Sequence, residues 1–566
     1  NIYMFNGSAL NVQAGGEIVG LGTSGQRLIV AADDPGATGV VTMTGGRIDF
    51  TDAHGDSGVY LGTDMYGPAN GAGVGIFNMS GGFGVLRNLN VGYSTGGEGI
   101  ATLSGGTLSN TVLRIGGKEN TAATASSTGT VTISGTHVLI PNGVGVGVYN
   151  NCQGTLNMSG GTVSNASQGI SFASGSGTRA YGTLTGGVMN VSGFNMGLGD
   201  NSRAEVSMGG TFALRSAGSV TIGYSGAGSY AQLSISNDAS VTIDGDQLNV
   251  GANSGGTGIV NMAGGTVTLT QTAANRGLDI GRGGPGTLNL SGGTLECQQV
   301  YYDRYNTSSS HINVSGGTLY ARNGIAVQGN GAGSTLVATG GVVDFGTGNL
   351  AVNSDNSVTN AGGVFQFAKY NPTITITPDV FGTIVFDGGT VSFRAIDNAD
   401  VRCNQGGYPL DSATKVSWAG ANGFRLNAAT NVSSSQAYTF TDTLGAANFA
   451  RLDLLNGSLY RGGNVTIGSG GTLTVTGAAS TIANDLTLES GSTYSVMLDA
   501  GGTMSHVAVD GAVTLGGTLA IELASAPQQD YPYLVMDNNG TVAGAFASSS
   551  VYASYDGQTY DFSVRR

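Results

Sequence analysis

Charge is scarce in this 566-residue chain, with Asp, Glu, Lys and Arg together making up 10%. The 21 Lys plus Arg are outnumbered by 35 Asp plus Glu, for a net charge of −14. A nucleic-acid-binding face needs clustered basic side chains, so that class is excluded. Proline is limited to nine residues. Disordered chains of comparable glycine content are more polar, more charged or richer in Pro. No apolar run is long enough to cross a bilayer, and no segment has the 3.6-residue apolar period of a helix. The three cysteines, Cys152, Cys297 and Cys403, have neither CxxC nor metal-ligand spacing. Isolated thiols fit this scatter; a single bridge between Cys297 and Cys403 is the alternative. The chain opens on Asn1 rather than Met, which reads as a processed, exported protein.

Glycine is abundant, at 101 residues. A phrase recurs through the first 345 residues: Gly154-Thr-Leu-Asn-Met-Ser-Gly-Gly-Thr-Val163, then Gly258-Ile-Val-Asn-Met-Ala-Gly-Gly-Thr-Val267 and Gly286-Thr-Leu-Asn-Leu-Ser-Gly-Gly-Thr-Leu295. A second phrase follows in each unit, as in Leu89-Asn-Val-Gly92, Leu113-Arg-Ile-Gly116 and Leu248-Asn-Val-Gly251. Both alternate apolar and polar residues, the period of a strand. Leu156 and Met158 are expected to point inward, and Thr155, Asn157 and Ser159 outward. Self-similarity of this kind predicts a repeat architecture, because single short hairpins bury too little. The expected fold is all-β: a parallel β-helix, or β-solenoid, of about 12 coils with 23–30 residues each. Outward ladders of Asn78, Asn157, Asn261, Asn289 and Asn313 should follow. The solenoid is expected over 1–345, an irregular transition over 346–461, and a C-terminal β extension or cap over 462–566.

The phrases resemble the autotransporter-associated β-strand repeats of exported bacterial proteins. The C-terminal run is similar to the usual end of such chains: Asn464-Val-Thr-Ile-Gly468, Gly471-Thr-Leu-Thr-Val475, Leu515-Gly-Gly-Thr-Leu519 and Gly540-Thr-Val-Ala-Gly-Ala-Phe546. The resemblance implies a secreted or surface-displayed protein, such as an adhesin or coat material.

Few residues suggest chemistry. Asp33, Asp34, Asp52, Asp56 and Asp64, with His54 among them, form an acidic cluster that could hold Ca²⁺ through oxygen ligands. Gly92-Tyr-Ser94-Thr-Gly96 matches the nucleophile-elbow pattern, which needs a strand-to-helix turn that this chain lacks the sequence for. His54, His137, His311 and His506 are scattered. The Asn-x-Ser/Thr triplets at Asn157, Asn313, Asn431 and Asn539 are as frequent as composition dictates. Tyr531, Tyr533, Tyr552, Tyr555, Tyr560 and Phe562 are the aromatic cluster that a glycan-binding surface would need.

These features predict a non-catalytic extracellular structural protein. An adhesin or glycan-binding passenger, and a β-helix polysaccharide lyase or hydrolase, are the alternatives. The expected partner is a second copy. Ile2, Tyr3, Met4 and Phe5 would offer one uncharged strand edge and Tyr560, Phe562 and Val564 another, joining subunits head to tail.

Overall fold

Alternating β-branched and small polar residues place each phrase in an extended strand, with one side chain in two facing inward. The computed structural model describes residues 1–20, 25–32, 36–50, 57–63, 73–117, 127–140, 142–165, 167–253, 255–273, 276–302, 309–327, 333–346, 348–352 and 356–367. It also describes short strands between 373 and 460, and residues 465–482 and 485–565. Every helix or strand among them is a strand. The chain divides into two compact units, Asn1–Gln298 and Gln299–Arg566.

In the first unit each coil adds one strand to each of three parallel sheets. On the first sheet Ala9–Val12, Thr38–Met43, Val74–Met79, Glu98–Leu103 and Thr128–Ile133 stack in order. The opening halves of Gln153–Ser164 and Arg179–Val191 follow, then Arg203–Met208, Tyr230–Ile235 and the opening halves of Thr257–Leu269 and Gly286–Cys297. The second sheet starts at Glu17–Val19 on Arg47–Phe50, and the third at Ile2–Met4 on Arg27–Ala32. Glu98 stacks on Thr128, and then Gln153, Arg179, Arg203, Tyr230 and Thr257 follow, so these coils take 24–30 residues.

The register builds the core column by column. Met43, Met79, Leu103, Ile133 and Met158 form one fully buried column. In the neighbouring column Gly182 stands between Leu156 and Val206. A Cβ there would lie 3.2 Å from the Phe172 ring, which pairs with Phe194 at 5.3 Å and fills the space. Leu156 and Met158 point inward and Thr155, Asn157 and Ser159 outward, as the alternation predicts. The asparagine ladder is more broken than expected. Asn78, Asn157, Asn261 and Asn289 share one outward column, but Thr102, Thr132, Thr183, Ser207 and Ser234 occupy the rungs between. Asn289 is directly beside Asn261 and donates to its Oδ1 at 2.8 Å. A threonine or serine suits the same half-exposed site. Asn313 belongs to the second unit.

Corners are set by the Gly-Gly pair. Gly106 has φ +82°, and a Cβ on it would sit 2.6 Å from the Gly82 carbonyl oxygen of the preceding coil. After the third strand the chain turns back over that sheet. Tyr93 meets Tyr60 edge-on at 4.9 Å beside Ile29, and Asn90, Asn249 and Asp279 are buried at outward positions. Cys152 continues a buried column of small polar residues, between Ser127 and Thr178, and its sulfur accepts the Ser127 hydroxyl at 3.2 Å. It acts there as a space-filling residue. Cys297 is also buried. The proposed bridge to it turns on Cys403, whose side chain lies outside the described residues.

The second unit repeats the plan. His311–Val314, Thr335–Ala338, Ser357–Asn360, Thr383–Phe386 and Phe424–Asn427 stack in parallel. Arg451–Leu455, Thr472–Thr476, Thr493–Leu498 and Thr518–Leu523 extend the ladder. Two four-stranded parallel sheets accompany the later rungs, ending in Met536–Asn538 and Val542–Gly544. An antiparallel hairpin, Ser550–Tyr555 with Gln558–Ser563, closes the unit. More coils stack than the twelve expected. The coil of Ala9–Val12 precedes the first counted repeat, and rungs such as Ser357–Asn360 lie beyond residue 345. Stacking requires the apolar alternation; the Gly-Gly-Thr signature used for counting is dispensable.

Candidate functional site

The first coil is where the core columns emerge. Ile2 stacks on Leu28, which is fully buried, yet Ile2 itself is 40% exposed. Leu10 and Ile18 are half-buried above Val41 and Ile48, both fully buried. Met4 and Val12 point into the core, while Tyr3, Phe5 and Val19 are exposed. The three strands are tied inward by the ladder and by side-chain bonds: Arg27 N–H donates to Asn1 Oδ1 at 2.9 Å, and Thr38 N–H to Asn6 Oδ1 at 3.3 Å. Glu17 lies 3.7 Å from Arg47, which also pairs with Asp49. The bond and charge of Asp49, with a smaller contribution from Glu17, hold the Arg47 pKa above its ordinary value.

The last parallel rungs carry a second set of exposed apolar side chains. Val542 is 38% exposed, although Val513 beneath it is buried. Leu534, Tyr531 and Tyr552 are exposed as well. The hairpin turns Val551 and Ala553 inward and leaves Tyr560, Phe562 and Val564 half-buried. Those three residues alternate with the exposed Asp561 and Ser563. The aromatic cluster divides in the same way. Tyr531 meets Tyr533 at 5.0 Å and Tyr533 meets Phe562 at 6.3 Å, whereas Tyr552 lies on the opposite, exposed face of the hairpin. Beneath them Tyr494 is buried, donates to the Val535 carbonyl and receives the Val507 N–H at 3.1 Å. Burial raises its pKa well above the usual tyrosine value, with the Val507 bond a smaller opposing effect.

The remaining candidates are dispersed. Asp33, Asp34, Asp52, His54, Asp56 and Asp64 lie outside the described residues. Ser94 of the GxSxG match is fully buried, 3.0 Å from the Thr63 hydroxyl, in the turn after a third-sheet strand. His137 is exposed, and His311 lies 3.0 Å from the Thr335 hydroxyl. His506 belongs to the second unit, 3.5 Å from the Met504 carbonyl. An open groove of about 500 Å³ crosses the edge of the second sheet between Leu139, Ile140, Asn165 and Val191, with the Arg215–Asp244 ion pair on its wall. No helix among the described residues is long and apolar enough to cross a membrane.

One arrangement was missed in the sequence. On the first sheet Arg179, Arg203 and Tyr230 occupy consecutive rungs of one outward column, and Tyr181, Glu205 and Gln232 the next. The signal was present: two arginines and a tyrosine follow one another where Thr38, Val74, Thr128 and Thr257 start the phrase in other repeats. No family model, curated protein or solved structure matches the chain.

Proposed function

We propose that this chain is a non-catalytic structural protein of the bacterial exterior whose solenoid ends join copies head to tail into filaments. The location rests on the resemblance of its repeats to those of exported proteins. The assembly rests on the first described coil, where Ile2 is exposed and Leu10 and Ile18 are half-buried although their columns are fully buried one rung on. A strand edge with exposed apolar residues is a template for another strand. The exposed Val542 rung offers an edge at the other end of the repeat order, and contact between unlike edges propagates when its rotation does not close.

The test is light scattering and negative-stain microscopy of the intact 566-residue chain beside a Tyr3→Lys, Val19→Lys variant. Both residues are exposed, so the substitutions charge the edge and leave the core intact. The intact chain should form filaments with increasing concentration, and the variant should remain dispersed with an unchanged melting curve. An intact chain that stays monomeric at the highest attainable concentration sinks the proposal, as does a variant that polymerises equally well.

A further inference from the structure

The Arg–Tyr strip on the first sheet breaks the repeat pattern in both chemistry and exposure. Its columns run across the rungs: Gln153, Arg179, Arg203 and Tyr230 in one, and Thr155, Tyr181, Glu205 and Gln232 beside it. Parallel rungs are about 4.8 Å apart, so the Arg179 and Arg203 stems lie side by side. Like charges in directly opposed positions destabilise a sheet. Glu205 offsets one of them by pairing with Arg203. Among the described residues Arg179 makes no ion pair, and it is exposed. Arg203 also lies over the Tyr230 ring at 4.8 Å, and the Tyr230 hydroxyl donates to Gln232 at 2.6 Å. In the next column Thr183 and Ser207 are exposed, although their equivalents Thr102, Thr132 and Asn157 are half-buried.

We propose that this strip binds an anionic polysaccharide lying across the rungs. An unmatched guanidinium is complementary to a carboxylate or sulfate, and Arg offers it a two-pronged hydrogen bond. The Tyr181 and Tyr230 rings supply flat apolar surface for sugar faces, with a polar edge at each hydroxyl. The Thr183 hydroxyl donates to and accepts from sugar hydroxyls, and Ser207, whose own hydrogen goes to the Gly182 carbonyl at 3.3 Å, accepts on the same side. A polymer suits the site because the Arg pair repeats along the rung axis. A sugar suits it better than an acidic peptide because charge, ring faces and hydroxyl rows occur together. The strip is on a side face of the first unit, so the inference does not depend on filament formation.

Affinity electrophoresis of the intact chain against polygalacturonate tests it, with dextran sulfate, methyl-esterified polygalacturonate, neutral dextran and poly-L-glutamate as comparisons. Retardation is expected with polygalacturonate or dextran sulfate, decreasing with added salt, and not with the esterified polymer or dextran. The favoured anion distinguishes carboxylate from sulfate recognition. Arg179→Gln should weaken binding by about tenfold, the loss of one charge-assisted hydrogen bond. Arg179→Gln with Arg203→Gln should abolish it, and Arg215→Gln on the second sheet should leave it unchanged. The absence of retardation by either anionic polysaccharide overturns the proposal. So does equal retardation of the Arg179→Gln, Arg203→Gln variant, or equal affinity for the esterified polymer. Tighter binding to poly-L-glutamate would replace the polysaccharide with an acidic protein partner.

Discussion

At the scale of single residues, one backbone position recurs in the first unit from the coil of Arg27–Ala32 onward. The residue after each third-sheet strand has positive φ: Gly92 at +70°, Gly116 at +75°, Gly197 at +69° and Gly251 at +72°, with Ala31 and Ala173 in the same register at +62° and +57°. The two alanines show that the turn tolerates a Cβ where the neighbouring coil leaves room. At Gly92 it does not, because a Cβ would sit 2.1 Å from the Thr128 carbonyl oxygen; at Gly197 the nearest atom is the Ala231 Cβ at 3.2 Å. Gly92→Ala should therefore cost about 3 kcal/mol, backbone strain plus a clash with main chain, and Gly197→Ala about 1 kcal/mol. Amide hydrogen exchange of the flanking third-sheet strands reads both, since long repeat arrays do not unfold in two states. Equal losses at the two sites would show that the turn, and not coil spacing, sets the preference. The phrase Leu89-Asn-Val-Gly92 made this glycine legible; nothing local marked Ala31 or Ala173 as equivalents, because only the stacking register aligns them.

At the scale of elements, the alternation in Tyr560–Val564 was readable as a strand, but its partner was not. The same pattern serves a parallel rung or a hairpin, and the deciding feature is the turn. Asp556 and Gly557 both have positive φ, at +49° and +73°, the two-residue turn whose twist matches antiparallel strands. That Asp-Gly pair was present in the sequence and sets the antiparallel pairing with Ser550–Tyr555. Gly557 has no atom near its Cβ position, so Gly557→Val acts through backbone strain alone, about 1–2 kcal/mol. Hydrogen exchange should speed up by about tenfold in Ser550–Tyr555 and Gln558–Ser563 while Thr472–Thr476 stays protected. Loss of protection in both would mean that the hairpin and the parallel rungs open together.

At the scale of the whole molecule, each coil depends on its nearest neighbours, so stability is distributed along the array. Arg203 and Tyr230 are in register, as are the rungs beyond them. Deleting residues 203–229 removes one coil and joins Ser202 to Tyr230, preserving the order of the three sheets. Circular dichroism should retain its β signal, and hydrogen-exchange protection of the rungs on either side of the junction should be preserved. Deleting 203–216 instead puts a third-sheet strand where a first-sheet strand belongs and should yield insoluble protein. Equal tolerance of both deletions would refute nearest-neighbour stacking in fixed register.

The sequence by itself determined the fold class. The two-residue alternation fixes strands, the 24–30-residue repeat fixes their stacking, and Gly-Gly pairs mark corners because few other residues accept positive φ against a neighbouring backbone. Tertiary structure alone decided which residues meet. Arg179 and Arg203 are 24 residues apart and look unrelated in the chain, yet register makes them neighbours. Leu28 is buried because register places it between the rungs of Ile2 and Val59, 26 and 31 residues away in the chain. Periodicity is a local property that one coil displays in full. Adjacency and exposure arise between coils, where loop length sets the register and position in the stack sets the cover.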